Sequence, residues 1–373
     1  MYIGIDGNEA NIKRRVGSNQ YAFELLHGLY RLNNQQNNNK YVIFIKDAPL
    51  PDLPKENEYW KYRVLPGKGM WVLTTLQKYL IFNNQLDVFF TPTHYLPFIT
   101  RCPKVCAIHD LGYLNFSGQF KKFDFWQLKY WTAISLYVSK YIITFSEFTK
   151  KDIVRHYPGV SRKPYVVYHG FRSDVYSTKI SADVVRRIKN KYNIVGKYIL
   201  FLGTLKPSKN IEGLVAAYAT IKRNKLNYRL VIAGKKGWLY DSIFKKTEDL
   251  GLKDEIIFTD YIDDKDKPAL IRGAKLFVIP SFWEGFGMDI ITSYACGVPV
   301  VGSSVASISE IGGDVLIPCN PESVESIAES IEKVLKMNPK EYNILSQKCV
   351  ERSKSFSWDR SAAETLEVLK KAV

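Results

Sequence analysis

The stretch Pro280-Ser281-Phe282-Trp283-Glu284-Gly285-Phe286-Gly287-Met288-Asp289 joins two segments of different periodicity. Before it, Leu276–Ile279 is a short unbroken apolar run, the pattern of a strand buried on both faces. After it, Asp289–Cys296 reads as a helix and Val298–Val301 as the next strand. Strand, glycine-bearing loop, helix and strand are the unit of an open parallel sheet, whose ligands gather at the carboxyl ends of the strands. Two glycines around Phe286 allow close approach of backbone to a ligand. Glu284 offers a carboxylate to hydroxyl donors, a charge-assisted and therefore stronger hydrogen bond. A tight turn with a solvent-facing glutamate is the plainer alternative at this point.

The same rhythm extends in both directions. Tyr2–Ile5, Tyr41–Ile45, Val88–Phe90, Val105–Ile108, Tyr141–Phe145 and Tyr165–Tyr168 read as buried strands, with helical patterns such as Tyr21–Leu32 and Phe148–His156 between several of them. The second half repeats it, with strands at Tyr198–Gly203, Arg229–Ala233 and Glu255–Phe258 and helices at Ile211–Lys222, Lys267–Gly273, Pro321–Lys336 and Pro339–Ser355. Such alternation predicts two α/β domains built on parallel sheets with right-handed crossovers. The join is placed after His169-Gly170, in the polar stretch 171–181. The Asn/Gln run Asn33–Asn39 reads as an exposed loop, and no solenoid repeat is present.

Two more strand ends attract attention. Gly203-Thr204-Leu205-Lys206-Pro207-Ser208-Lys209-Asn210 leads into the helix from Ile211, where free backbone N–H groups, the helix dipole and the charge of Lys209 suit a phosphate; it lacks the P-loop spacing, and a solvated lysine is the alternative. His109-Asp110, after Val105–Ile108, could bind a ligand or exchange a proton, and a structural histidine reads equally well there.

Composition narrows the class. The 373 residues carry a net charge of +16, with 46% hydrophobic and 14% aromatic residues, which excludes a disordered chain and fits two domains. Five scattered cysteines suit a reduced protein, and Cys102 and Cys106 lack a second pair at zinc-site spacing, so no metal is expected. No apolar run reaches the ~18–20 residues of a spanning helix, and Met1–Asp6 reads as a strand opening rather than a signal peptide; the expectation is a cytoplasmic protein. Residues 1–170 hold 22 basic and 12 acidic side chains, a net +10, against 31 and 25, a net +6, for residues 171–373. No helix-turn-helix, zinc finger or aromatic RNA-binding signature accompanies this charge, so nucleic acid is not the expected partner. Gly4-Ile5-Asp6-Gly7-Asn8 lacks the spacing of a dinucleotide-binding loop.

In order along the chain, Val16-Gly17-Ser18-Asn19-Gln20-Tyr21, His109-Asp110, Phe145-Ser146-Glu147-Phe148-Thr149, Phe201-Leu202-Gly203-Thr204 with Lys209-Asn210, Ala233-Gly234-Lys235-Lys236-Gly237-Trp238, Pro280–Val301 and Phe356-Ser357-Trp358 resemble the retaining glycosyltransferases of family 4, the group 1 glycosyl transferases of GT-B fold. The resemblance spans essentially the whole chain. It implies two Rossmann-like domains facing a cleft: 1–170 on the acceptor side, 171–355 holding a nucleotide-sugar donor, and 356–373 as a helix crossing back to the first. It further implies transfer of a sugar from a nucleotide-diphosphate donor to a hydroxyl, without a metal or other cofactor. By that resemblance the catalytic residues are His109, Glu284 and Lys209: Lys209 neutralises the leaving diphosphate, Glu284 holds the donor sugar, and His109 contacts it from the opposite side. Gly17, Asp110, Gly203, Thr204, Lys206, Gly285, Phe286, Gly287, Thr292 and Tyr261 fall at donor-binding positions. The segment Gly234–Trp238 leans toward mannosyl- or related hexosyl-transferring members, acting in surface polysaccharide or glycolipid synthesis.

The chain also departs from the pattern. The second glutamate of the family motif, which grips the nucleotide ribose, falls at Thr292, and a neutral acceptor there weakens donor binding by roughly 1–2 kcal/mol. Asp289, where relatives carry proline, sits three residues earlier on the same helix face, and either compensates or serves the helix dipole. The arginine of the phosphate loop falls at Thr204 or Ser208, with Lys206 as a stand-in. A catalytically weakened pseudo-enzyme acting as partner or scaffold, and a sugar-nucleotide epimerase, are the alternative readings. In Phe120–Tyr141, seven aromatics alternate with lysines; core packing is expected for most rings, with Lys121, Lys122 and the rings beside them as candidates for an acceptor groove or an anionic membrane surface. Gly67-Lys68-Gly69-Met70-Trp71 is a second candidate of this kind.

Overall fold

The computed structural model describes residues 1–373 except 37, 38, 84, 117, 119–121 and 238; Phe120, Lys121 and Trp238 of the segments quoted above, with Asn37 and Asn38, lie outside the described residues. The chain divides into two compact units, Met1–Gly170 with Phe356–Val373, and Phe171–Ser355.

In chain order the first unit holds β1 (Tyr2–Asp6), α1 (Ser18–Gln36), β2 (Lys40–Ile45), β3 (Trp60–Val64), α2 (Gln77–Phe82), β4 (Val88–Thr91), β5 (Lys104–Ile108), α3 (Gly112–Asn115), α4 (Lys122–Val138), β6 (Tyr141–Thr144), α5 (Glu147–His156) and β7 (Pro164–Val166). The second follows with α6 (Ala182–Lys191), β8 (Tyr198–Leu202), α7 (Ile211–Arg223), β9 (Arg229–Ala233), α8 (Asp241–Asp249), β10 (Ile256–Phe258), α9 (Lys267–Arg272), β11 (Leu276–Ile279), α10 (Met288–Ala295), β12 (Val300–Ser303), α11 (Ile308–Gly312), β13 (Ile317–Cys319), α12 (Val324–Leu335) and α13 (Pro339–Ser353). A last helix, α14 (Trp358–Ala372), belongs to the first unit.

Both sheets are parallel and share one order: β3-β2-β1-β4-β5-β6-β7 in the first unit, β10-β9-β8-β11-β12-β13 in the second. The strands read as apolar runs because helices cover both faces of such sheets; β4, β5 and β11 are buried at every residue. The order reverses direction between β1 and β4 and again between β8 and β11, and each reversal opens a crevice at the carboxyl ends of those strands.

Three local outcomes differ from the sequence expectations. The Asn/Gln run is not an exposed loop throughout: α1 continues to Gln36, and the buried Asn33 side chain donates to the Asn39 carbonyl at 3.1 Å and accepts from its N–H at 3.2 Å. Strand β12 begins at Val300 rather than Val298, because α10 ends in a Schellman turn: Gly297 has φ of 70°, its N–H reaches the Tyr294 carbonyl at 2.9 Å, and that of Val298 reaches Ser293 at 2.9 Å. The rings of α4 divide: Trp131 is buried, whereas Phe123, Trp126, Tyr130 and Tyr137 are exposed. In the second basic segment Trp71 is buried and Met70 exposed.

Helix α14 packs on α1 through Trp358, Ala362, Leu366 and Leu369, which recur at helical spacing and are buried. Two glycines permit that approach. A Cβ on Gly28 would lie 3.0 Å from the Ala362 Cβ and the Trp358 carbonyl, and one on Gly170 would lie 2.0 Å from the Trp358 nitrogen. The exposed Arg31–Asp359 pair, 2.7 Å apart, adds little. Replacing Gly170 by alanine therefore forces backbone apart; Gly170→Ala is expected to lower the unfolding free energy by about 2–3 kcal/mol and to expose the tail to limited proteolysis, with urea unfolding as the measurement.

Candidate active site

The second unit brings together two loops that lie far apart in sequence. Strands β8 and β11 are neighbours, with Leu276 opposite Ile199 and Phe277 opposite Leu200, so the loops that leave their carboxyl ends meet. The Phe282 N–H donates to the Ser208 carbonyl at 2.9 Å, and the buried Asn210 side chain donates to the carbonyls of Pro280 (3.1 Å) and Pro321 (2.6 Å). This lacing sets Lys209, at the end of a 3₁₀ turn, against Glu284: the ammonium and carboxylate form an ion pair with both side chains largely buried. Ser281 Oγ donates to Glu284 Oε1 at 3.0 Å, and Ser307 Oγ to the Glu284 carbonyl at 2.8 Å, so the acidic partner is held from two sides. A second ladder joins the β8 and β9 loops. The Leu205 N–H donates to the Lys235 carbonyl at 3.0 Å and that of Gly237 to Leu205 at 2.9 Å. Gly234 approaches so closely that a Cβ on it would lie 1.8 Å from the Gly203 oxygen.

The other expected donor residues of this unit lie on the segments that follow β8, β10 and β11. Thr204 and Lys206 are half-buried in the β8 loop, and Gly285–Gly287 lead into α10, with Gly287 at φ of 91° as its N-cap. Thr292 is buried, its hydroxyl turned back on its own helix to donate to the Asp289 carbonyl at 3.3 Å. Asp289 itself is half-buried; burial pushes its carboxyl up to about 6, against the pull of Lys267 and Lys209. Tyr261 is exposed beyond β10, after Asp260 with φ of 55°.

Gly17, His109 and Asp110 belong to the first unit. Gly17 is exposed with φ of 55°, in the turn that opens α1. At the end of β5, His109 Nε2 donates to the Pro92 carbonyl at 3.0 Å, so Nδ1 is the acceptor nitrogen of the neutral ring. Its ring packs on Tyr21 (centroids 5.1 Å apart), Phe145 (4.6 Å) and His169 (6.0 Å). Burial lowers its pKa, which favours that neutral form. Asp110 is exposed and accepts from the Gly112 N–H at 2.7 Å. Among the described residues no group of three or more His, Cys, Asp or Glu converges as a metal site, and all five cysteines are free and buried.

Several side chains at these strand ends have roles that the sequence alone did not assign. Ser281, Ser307 and Asn210 hold the Lys209–Glu284 loops, and no spacing rule singles them out. Beside His109 lies His94, whose buried Nε2 has no hydrogen-bond partner among the described residues; burial and then the neighbouring His109 push it down to about 3. At the end of β1 the buried Asp6 accepts at Oδ1 from the Asn8 N–H (3.0 Å) and side-chain amide (2.9 Å), while Glu9, just beyond, accepts from the Asn19 side chain. Their one available signal is position, since each lies at or beyond a strand's carboxyl end.

Two Rossmann-like parallel sheets of one order, with the tail helix packed on the first, are the architecture of the GT-B fold. Residues 184–355 match the family model of glycosyl transferases group 1, the family that the sequence motifs resemble. It is 29% identical over 324 residues to O-antigen chain mannosyltransferase B of Escherichia coli, a match covering 83% of this chain and 79% of that one. It is 33% identical over 190 residues to the serotype-specific mannosyltransferase WbdA of Escherichia coli, half of this chain but only 23% of that longer protein. Among solved structures, HepE of Anabaena in complex with UDP and glucose superposes with a TM-score of 0.74 over all of both chains at 17% identity, which is a likeness of fold.

Burial raises the Asp6 carboxyl from 3.8 to about 7, with the Asn8 amide opposing. A carboxyl raised on folding contributes stability that is present below its unfolded value and lost as pH climbs through the folded one. Asp6→Asn keeps the acceptor oxygen and removes the charge, so it is expected to raise the unfolding free energy by about 2 kcal/mol at pH 8 and to change it little at pH 4; urea unfolding at the two pH values measures the difference.

Proposed function

We propose that the chain transfers a hexose, of the mannose or glucose type, from a nucleotide-diphosphate sugar to a hydroxyl of a glycan or lipid-linked acceptor. Transfer retains the anomeric configuration, needs no metal ion, and serves the synthesis of a surface polysaccharide or glycolipid in the cytoplasm or at the inner face of the membrane. The observation that carries this reading is the Lys209–Glu284 pair at the β8–β11 reversal. A diphosphate arriving there competes with Glu284 for the ammonium of Lys209. As Lys209 turns to the phosphate oxygens, the freed carboxylate becomes an acceptor for hydroxyls of the attached sugar, so binding one half of the donor prepares the site for the other. In the transfer step the bond between the anomeric carbon and the diphosphate oxygen breaks, and Lys209 stabilises the charge that builds on that oxygen. The acceptor hydroxyl bonds to the anomeric carbon as its proton passes to an oxygen of the departing diphosphate. In the first unit, the acceptor nitrogen of His109 suits a sugar hydroxyl. The lean toward mannose draws support from the names of the mannosyltransferase relatives, and the nucleotide donor from the UDP and glucose held by HepE.

One observation favours the weaker alternative, a fold whose donor binding has faded: the hydroxyl of Thr292 is engaged by its own helix rather than presented beside the pair. Calorimetric titration with UDP, GDP and ADP compounds separates the two. Binding by one of them supports the transferase, and no binding of any at millimolar concentration overturns it. A panel of nucleotide sugars, followed by release of the nucleoside diphosphate, identifies the donor. With that donor, Lys209→Ala is expected to lower turnover about 10²–10³-fold; an unchanged rate would falsify the assignment of Lys209 to the leaving group.

A further inference from the structure

Helix α4 carries an apolar stripe that faces solvent. Phe123, Trp126, Tyr130, Ile134 and Tyr137 are 77, 46, 60, 37 and 54% exposed. Their spacing of three and four residues lines them along one face of the helix. The opposite face, with Trp131, Thr132, Ser135 and Leu136, is buried in the unit, so α4 is fixed in place with its second apolar face outward. The rings are organised: Trp126 and Tyr130 stack at 5.5 Å and 21°, and the Lys129 ammonium lies 4.9 Å from the Trp126 ring centroid.

Charge tells what covers this face. Lys122 and Lys129 flank the stripe on one side, and Asp124, the only acidic residue of the helix, lies about 100° around from Phe123 on the other. At the far end the turn Pro158–Val160 adjoins α4, and Lys163 closes the helix by donating to the carbonyls of Tyr137 (2.7 Å) and Ser139 (2.8 Å). From Arg155 through Lys163 there is no acidic residue, and Arg155 and Arg162 are exposed. All of this sits on the half of the chain that carries a net +10. A second copy would bring two such positive surfaces together, which opposes self-association. An anionic bilayer offers both complements: aromatic rings settle at the boundary of headgroups and acyl chains, and lysines beside them meet acidic headgroups.

We propose that the exposed face of α4 docks the protein on an anionic lipid surface, with the stripe Phe123–Tyr137 lying in the interface and Lys122 and Lys129 at its headgroup edge. The proposal does not depend on which sugar is transferred, and its test does not use turnover. The full chain is co-sedimented with phosphatidylcholine vesicles, with and without phosphatidylglycerol, at low and high salt. Wild-type protein is expected to bind the phosphatidylglycerol vesicles and to be released as salt screens the charges. The surface variant Phe123→Ser/Trp126→Ser/Tyr130→Ser should lose at least about tenfold in partitioning with an unchanged melting temperature. Lys122→Glu/Lys129→Glu should lose about fivefold or more per lysine, which keeps the proposal testable if the aromatic variant fails to fold. No sedimentation of the wild type with anionic vesicles, or equal sedimentation of the wild type and both variants, overturns it. So does a dimer by light scattering that the aromatic variant converts to monomer, since that would make the stripe an interface between copies.

Discussion

The pairing of β8 with β11 governs the chemistry of the second unit. These strands are separated in sequence by a whole crossover and two further strands, yet the sheet order makes them neighbours. A lysine from one loop and a glutamate from another, 75 residues apart, are thereby placed in an ion pair without either loop having to be long. Burying two charges is unfavourable unless each is well partnered. The serines at 281 and 307 and the amide of Asn210 supply that partnership, fixing both loops at the backbone as well as at the carboxylate. Position at a reversal of strand order and a built electrostatic pair are one arrangement, and most of the loop glycines follow from it. Gly234 has no side chain because the Gly203 backbone occupies the space a Cβ would need.

The first unit repeats the sheet order but fills the equivalent strand ends differently. Where the second unit has a compensated ion pair, the first has neutral rings: His109 and His169 among Tyr21, Phe145 and Trp358, with His94 beside His109. Burial holds all three imidazoles below their ordinary pKa, so this end of the sheet presents acceptors and aromatic faces rather than cations. Its formal positive charge lies elsewhere, on exposed side chains such as those around α4. Neutral polar groups thus occupy the strand ends of this unit, and cations its outer helices.

How much of this the sequence carried depends on what each residue faces. Strands buried on both sides leave unbroken apolar runs, so β1, β2, β5, β8, β9 and β11 could be read to within a residue or so. Two of the edge strands leave no such mark: β3, Trp-Lys-Tyr-Arg-Val, has two exposed charges among its five residues, and β13 is three residues long with an exposed proline in the middle. The Asn/Gln run misled because amides that hydrogen-bond each other can be buried, and composition does not reveal the partner. The loops of the site were legible as strand-to-helix junctions. That Lys209 and Glu284 touch was not, since contact follows from strand order and not from spacing. The aromatics of α4 could be counted but not divided into inner and outer faces until the helix had a sheet to lean on.

The tail helix has a consequence for the order in which the molecule can be made. The first unit is discontinuous: its first 170 residues leave the ribosome well before α14, and the 185 residues of the second unit lie between. At about 5–20 residues per second, that interval is roughly ten seconds or more. During it, the apolar face of α1, the small residue Gly28 and the ring of Tyr21 wait without the Trp358 and Ala362 that later cover them. The second unit is continuous and can close as soon as it emerges. The domain begun first is thus the one finished last, since it cannot close before the second unit has been synthesised.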